Sequence, residues 1–418
     1  MRLTLIVFLI LLVMSIGVFT VVAVHPREKL EENSASEASV SLNNGDTLAA
    51  PIGAFVLAGG QNGTWFESGQ FPRLYEVSLQ SDSYTPLDPV HSGGTIWGGG
   101  FNGTQWLVSG WGTDDSTPGP YVWLYDGTHT ITAGSLDDYG QAYSWYGGDI
   151  FAASYNGNEW LVSGLGSGVL PSLSDNATNH YSLGTFNGKA FTDLSSLVPD
   201  QQDGILYTNA WNGAYWLVGG GYMQHNVLFT FDGHRFTDLT EQAENEIGTF
   251  ASVQAVAWNG NYWLVGGTGF LAKYDGHHFF DLTEHLESAV STDFYSVNAI
   301  AWNGNTWMIG GGAPIALVAP SDAWIATYNG HTISNLSSIL PTYVAKSSHR
   351  DSSILGVTEA DGVWIFGGYS NNRGILLAYD GRTLTDYSRL VTGLTYVDWV
   401  SCQFVLEFGN TNFYRHDA

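Results

Sequence analysis

Apolar and polar positions along this chain follow one rhythm that keeps returning. Its clearest copy opens with Val253, Ala255 and Ala257 alternating with Gln254 and Val256, the two-residue period of a strand. Asn259-Gly260 comes next, and Asn-Gly between apolar runs predicts a two-residue type I′ hairpin, whose central residues both need positive φ. Tyr262–Val265 is apolar on both faces, as a strand covered on both sides would be, and Gly266-Gly267 closes it. Leu271–Tyr274 reads as a third strand, Asp275-Gly276 as a second tight turn and His278–Leu282 as a fourth strand. The unit predicted is a four-stranded antiparallel meander.

The first half of this unit recurs at 101–110, 155–164, 211–220, 302–311 and 360–368. The second half recurs at 125–131, 186–194, 231–239, 328–336 and 379–387. A repeat of about 45–55 residues holding about four strands is the sequence form of a β-propeller blade. One blade buries too little to stand alone, so neighbours must stack. The chain resembles the kelch and galactose-oxidase-like propellers. The residues that carry the resemblance are the glycine pairs Gly219-Gly220, Gly266-Gly267, Gly310-Gly311 and Gly367-Gly368, with Phe231, Tyr274, Tyr328 and Tyr379 on the next strand. Ser109-Gly110 and Ser163-Gly164 depart from that pattern. So do Phe236, Phe279, Ile333 and Leu384, near where that family places tryptophan. The resemblance covers about residues 54–418 and implies a fold, since propellers host unrelated functions. Ala54–Gly60, Leu74–Leu79 and Tyr84–Asp88 give three strands at one end; Tyr396–Trp399, Phe404–Phe408 and Asn412–His416 give up to three at the other. If the C-terminal strands complete the first blade the ring has seven blades; otherwise eight.

Residues 3–24 form an uncharged apolar run, long enough to cross a bilayer as a helix of about 20 residues. The expected organisation is a signal anchor or signal peptide at 1–24, a flexible stalk at 25–50 and the propeller at 51–418. Cleavage after Ala23 is the alternative to an anchor. Four sequons, at Asn62, Asn102, Asn176 and Asn335, suit export and glycosylation. Cys402 is the single cysteine, so the chain has no internal disulfide and Cys402 reads as a small buried apolar residue.

Thirteen Lys+Arg stand against 39 Asp+Glu, a net charge of −26, yet charged residues are only 12% of the chain. Carboxylates discharge in acid, so few basic groups means little self-repulsion there. This pattern suits an acidophilic or otherwise extreme prokaryote, an archaeon above all; a glycosylated surface that substitutes sugar for charge is the alternative. The same charge makes nucleic acid a poor partner, and no run of basic residues offers a patch for an anionic membrane.

A meander's connections alternate between the two faces of the disc. The 1–2 and 3–4 turns are short and uniform; the 2–3 and 4–1 loops, such as 111–120, 135–148, 165–180, 195–204, 313–322 and 341–353, are long and irregular. Variable loops on a rigid scaffold are where binding gathers. The candidate ligand-binding residues are Asp114, Asp115, Asp137, Asp138, Tyr139, Tyr143, Trp145 and Tyr146, because aromatics beside carboxylates suit sugars and clustered carboxylates suit Ca²⁺. Trp106, Trp160, Trp216, Trp263, Trp307 and Trp364 recur at one strand position and read as inter-blade core. His234, His277 and His331 recur after a tight turn and read as exposed turn residues that diverge around the ring. The sequence holds no copper-radical Cys–Tyr motif, no sialidase box, no nucleophile elbow and no His-Glu-x-x-His zinc signature. Two readings remain. One is a membrane-anchored extracellular binding module for a protein, a surface glycan or its own copies. The other is an extracellular carbohydrate-active hydrolase or lyase using a pair of loop carboxylates.

Overall fold

Each repeat folds as a small antiparallel sheet. The computed structural model describes residues 24–26, 54–62, 71–79, 81–87, 93–113, 118–126, 130–136, 145, 148–166, 180–199, 204–222, 225–248, 250–290, 296–312, 321–346, 352–360, 362–371 and 373–391. The first sheet holds β1 (Val24–Pro26), β2 (Ala54–Asn62), β3 (Phe71–Ser78) and β4 (Ser83–Leu87). The second holds β5 (Gly93–Phe101), β6 (Trp106–Thr113), β7 (Pro118–Tyr125) and β8 (Thr130–Ser135). Next come β9 (Asp149–Tyr155), β10 (Trp160–Gly166), β11 (His180–Phe186) and β12 (Phe191–Asp193), then β13 (Ile205–Trp211), β14 (Trp216–Tyr222), β15 (His225–Phe231) and β16 (Phe236–Asp238). β17 (Val253–Trp258), β18 (Trp263–Gly267), β19 (Phe270–Tyr274) and β20 (Phe279–Asp281) follow. The last strands are β21 (Ser296–Trp302), β22 (Trp307–Gly312), β23 (Trp324–Tyr328), β24 (Ile333–Asn335), β25 (Ser352–Ala360), β26 (Val363–Ser370), β27 (Gly374–Tyr379) and β28 (Leu384–Asp386). Each set of four pairs in sequence order, and the last two sets touch through Gly312 and Ser353.

The first strands pack side by side, β5 on β9, β9 on β13, β13 on β17, β17 on β21 and β21 on β25. Sheets standing on edge around these strands make a β-propeller. Leu376, Leu390 and Val391 share one apolar core with Leu74, Val77 and Leu79, so the end of the described chain meets its beginning. β1 pairs with β2 through Val24–Val56, His25–Phe55 and Pro26–Ala54, from a stretch assigned by sequence to leader and stalk. Residues 3–23, Cys402 and the expected C-terminal strands lie outside the described residues. Among the described residues no helix is long and apolar enough to cross a membrane.

The expected two-residue type I′ turns are not what forms. Trp258 pairs with Trp263 and Tyr274 with Phe279, so each loop has four residues, 259–262 and 275–278. Only the glycine takes positive φ, +90° at Gly260 and +93° at Gly276; Asn259 and Asp275 do not. The reason is the side chain. Asn259 Oδ1 accepts the N–H groups of Asn261 and Tyr262 at 3.0 and 2.8 Å, and Asp275 Oδ1 those of His277 and His278, both at 2.8 Å. An Asx side chain thus replaces a backbone carbonyl, leaving one position that requires glycine.

The glycine pairs serve packing. A Cβ on Gly266 would lie 2.5 Å from Val297 of the next blade, and one on Gly267 1.8 Å from the Ser252 carbonyl oxygen. Where Ser163 replaces the first glycine, the neighbour changes with it: Asn209 Nδ2 donates to Ser163 Oγ at 2.7 Å. Trp106, Trp160, Trp216, Trp263, Trp307 and Trp364 are all buried, as their repetition predicts. Trp263 Nε1 donates to Tyr215 Oη at 3.2 Å and Trp307 Nε1 to Tyr262 Oη at 2.9 Å, each reaching back to the preceding blade.

After the fourth strand the sequence is expected to loop, but it turns helical: α1 (Thr240–Ile247), α2 (Thr283–Val290) and α3 (Thr342–Ala345). A repeated Asp/Asn-x-Ser/Thr box sets the exit. Asp281 Oδ1 accepts the Thr283 N–H at 2.8 Å, and Thr283 Oγ1 accepts the Leu271 N–H at 3.2 Å. Asp193/Ser195, Asp238/Thr240, Asn335/Ser337 and Asp386/Ser388 repeat the first contact. The helices then strap adjacent blades: Glu246 of α1 accepts from Phe279 N, and Tyr343 of α3 donates to Asp386 Oδ2 at 2.7 Å.

Candidate functional site

The first strand of six blades carries one extra residue against its partner: Trp97, Phe151, Tyr207, Gln254, Asn298 and Leu355. A bulge re-aims its side chain, and these sit on the strands that line the centre of the ring. All six are buried. Trp97 stacks on Phe151 with centroids 5.3 Å apart, and Phe151 meets Tyr207 edge-on at 5.7 Å. The opposite side is polar: Gln254 Nε2 donates to Ser252 Oγ and Thr268 Oγ1, both at 3.3 Å, and Asn298 Nδ2 to Ser353 Oγ at 2.8 Å.

Asp149 stands where this aromatic side meets the variable loops. It is the first residue of β9, at the strand end that receives the 4–1 connection. Trp97 Nε1 donates to its Oδ1 at 2.9 Å. The residue keeps some exposure, but its carboxyl is enclosed, and burial pushes the pKa up to about 7 against the opposing pull of the Trp97 hydrogen bond. Across β10 lies buried His180, since Leu165 pairs with Asp149 and Gly166 with His180. Both residues root the long connections. A carboxyl titrating near neutrality can donate or accept a proton at the working pH, which marks functional sites often enough to make Asp149 a candidate. Nothing in the sequence announces it, because its burial depends on how Trp97 packs from another blade.

Of the residues expected to form the site, Asp114, Asp115, Asp137, Asp138, Tyr139, Tyr143 and Tyr146 lie outside the described residues. Trp145 does not present itself to a ligand. It is 0% exposed and packs edge-on against Phe191 at 5.9 Å, inside the core between β7, β9 and β11. An indole beside loop carboxylates reads the same in sequence whether it faces out or plugs the core. Among the described residues no three His, Cys, Asp or Glu gather as a metal would require; the Asp pairs considered for Ca²⁺ are not among them. His234, His277 and His331 are exposed turn residues.

The sequons divide. Asn102 holds the Asx position of its turn, Oδ1 accepting from Thr104 N at 3.0 Å and Gln105 N at 2.8 Å. Asn335 fills the box position that is Asp elsewhere, and its Nδ2 donates to the Ala289 carbonyl at 3.1 Å. Both sequons therefore arise from the repeat's own turn chemistry. Asn62 ends β2, and Asn176 lies outside the described residues.

The uniform turns stand at one end of the strands and most irregular connections at the other; the 27–53 connection from β1 to β2 shares the turn end, and not every 2–3 connection is long, 223–224 and 268–269 counting two residues each against thirteen for 167–179 and eleven for 313–323.

No protein-family model matches the chain, and comparison with curated proteins finds no match. Among solved structures, the chain is similar to the β-propeller domain of the Trilobed protease from Pyrococcus furiosus, with TM-score 0.47 and 12% identity over 88% of this chain and 95% of that one. It is similar to Sqt1 from Chaetomium thermophilum, TM-score 0.47 and 12% identity over 81% and 83%. The Pyrococcus horikoshii acylaminoacyl peptidase is a third, TM-score 0.48 and 13% identity over 81% of this chain; the chain spans 51% of that enzyme's length.

Proposed function

We propose that this chain is a seven-bladed propeller that acts as an extracellular binding module of the cell surface, held to the membrane through residues 3–24. Its ligand is a protein or a surface glycan met on the long-loop face. The observation that carries the reading is the division of the disc. Among the described residues, one face carries ten near-identical four-residue turns fixed by Asx hydrogen bonds, beside the 27–53 connection from β1 to β2. The other holds the variable connections, and the near-neutral carboxyl of Asp149 lies at their base. A repeated scaffold with variation gathered on one face suits a binding protein.

The loop aspartates are the place to test it. Asp114, Asp115, Asp137 and Asp138 replaced by Asn should reduce retention on cell-surface glycans or capture of surface proteins while the melting temperature stays unchanged. Unchanged retention removes these loops from the site. Membrane fractionation with N-terminal sequencing addresses the anchor. β1 begins at Val24, so a mature chain starting there has lost its leader and keeps its first strand.

An enzymatic reading has one observation in its favour, the raised pKa of Asp149, which is what a general acid needs. Glycoside cleavage asks for a second carboxyl, and no neighbouring charge contributes to the shift at Asp149. Asp149→Asn abolishing hydrolysis of a polysaccharide, with binding retained, would establish that reading instead.

A further inference from the structure

Asp149 has a structural role that an uncharged residue could fill. Its Oδ1 accepts the Trp97 indole N–H at 2.9 Å, and among the described residues no further hydrogen bond and no ion pair engages the carboxyl. An asparagine carbonyl would accept the same bond without the cost of holding a carboxylate away from water. The chain instead keeps an acid there, and burial pushes its pKa up to about 7. No counter-charge relieves it. β5, β6, β7, β10 and β13 pack against β9. In these six strands Asp149 is the only Asp, Glu, Lys, Arg or His. Their other titratable groups are the phenols of Tyr121, Tyr125, Tyr155 and Tyr207, and one strand further out β11 adds buried His180 and Tyr181. The connections on this side carry one sign. Residues 114–117, 136–148 and 167–179 join strand ends on the same face as Asp149; they hold Asp114, Asp115, Asp137, Asp138 and Asp175, with no Lys, Arg or His.

We infer that Asp149 is the seat of a basic side chain, lysine or arginine, of a protein partner. This rests on the proposed binding face and selects the protein over the glycan as its ligand. A cation supplies the missing counter-charge, and a carboxylate already stripped of much of its water gives up little more on contact. A sugar hydroxyl would leave the charge uncompensated. The net charge of −26 draws a basic partner towards the molecule, and the aspartates of the three connections draw it towards this end. Only the ionised carboxyl attracts a cation. The contact therefore strengthens as pH rises through about 7, and the bound cation in turn favours loss of the proton.

The test uses the whole protein with Nα-acetyl-arginine amide as probe, Nα-acetyl-citrulline amide as its uncharged isostere and maltohexaose as a neutral glycan, each titrated by calorimetry at low salt. The arginine probe should bind about tenfold more tightly near pH 8 than near pH 6, following the ionised fraction of a group with pKa about 7. Asp149→Asn keeps the acceptor for Trp97, and its melting curve checks that it folds. It should bind the probe near pH 8 as weakly as the parent does near pH 6, with no pH dependence. Asp232→Asn, on the opposite face, should match the parent, since Asn329 makes the equivalent turn bonds. The inference is overturned if the citrulline probe binds as well as the arginine probe, if affinity is equal at the two pH values, or if Asp149→Asn matches the parent. It is also overturned if Asp232→Asn loses as much as Asp149→Asn, or if maltohexaose binds through Asp149 more tightly than the arginine probe. Any of these results with surface-protein capture still dependent on the loop aspartates retires the seat at Asp149 and leaves the proposed function in place; loss of that dependence retires the proposed function itself.

Discussion

The Tyr387 hydroxyl donates a hydrogen bond to the Leu79 carbonyl at 3.1 Å, across a sequence separation of 308 residues. Beside it the Arg389 guanidinium pairs with the Asp82 carboxylate. Together with the shared apolar core, these contacts form the seam where the last described blade meets the first. Tyr387→Phe should lower unfolding free energy by about 0.5–1.5 kcal/mol, the net worth of one such bond. Arg389→Ala removes an exposed pair and should cost under about 1 kcal/mol. Denaturant titration of both variants measures this, and a Tyr387→Phe protein as stable as its parent would refute the seam as a stabilising joint.

Trp263 is wholly buried and bonded to Tyr215 of the blade before it. Trp263→Ala should destabilise by about 3–5 kcal/mol, the cost of emptying a large aromatic site. Tyr215→Phe should cost about 1 kcal/mol. In the double variant the two losses should fall short of additivity, since one contact is shared. Simple additivity would mean the indole–phenol bond carries nothing.

The turn box makes a sharper comparison. Asp281→Ala removes the acceptor of the Thr283 N–H and should cost about 0.5–2 kcal/mol, as loss of a helix cap does. Asp281→Asn should be close to neutral, because Asn335 holds the equivalent place in the next blade with the same bond to Ser337. Equal damage from both would indicate that charge, not hydrogen bonding, sets the exit from the fourth strand.

Asp149 gives the chain a pH dependence of stated sign. Its folded pKa, about 7, lies above the ordinary 3.8. The unfolded chain therefore releases this proton first, and folding is favoured most below the ordinary value. That advantage fades as pH rises from about 4 to 7, by up to about 4 kcal/mol at 1.36 kcal/mol per unit. Asp149→Asn should flatten the stability profile between these limits and stabilise the protein at pH 8. Melting curves across that range would contradict the assignment if the two proteins ran parallel.

Much of the fold is legible because it is written several times. Trp263 and its mates recur at one strand position, and repetition at that position in every blade marks a residue that meets a neighbour. The turns were legible as turns but not as a type, because Asn-Gly specifies I′ only when the backbone alone makes the bonds; here Asn259 Oδ1 takes them over. The helices α1 and α2 are largely polar, Thr240–Ile247 having only Ala243 fully buried, so their sequence looks like loop. Trp145 and Asp149 fail for a common reason. Local sequence fixes neither burial nor exposure where a side chain's neighbours arrive from other blades, Phe191 for the one and Trp97 for the other.

The bulge residues at the centre of the ring bear on how the chain finds its own order. Near-identical units invite mistaken partners during folding, since the flank of any unit can settle against any other. Trp97, Phe151, Tyr207, Gln254, Asn298 and Leu355 differ where everything around them is repeated. Omitting the β13–β16 unit would bring Gln254 against Phe151 in place of Tyr207; exchanging two units would take an amide away from the hydroxyls of Ser252 and Thr268 and set it against aromatic rings. Sameness along the outer strands makes each unit foldable, and difference at the axis distinguishes these six units from one another.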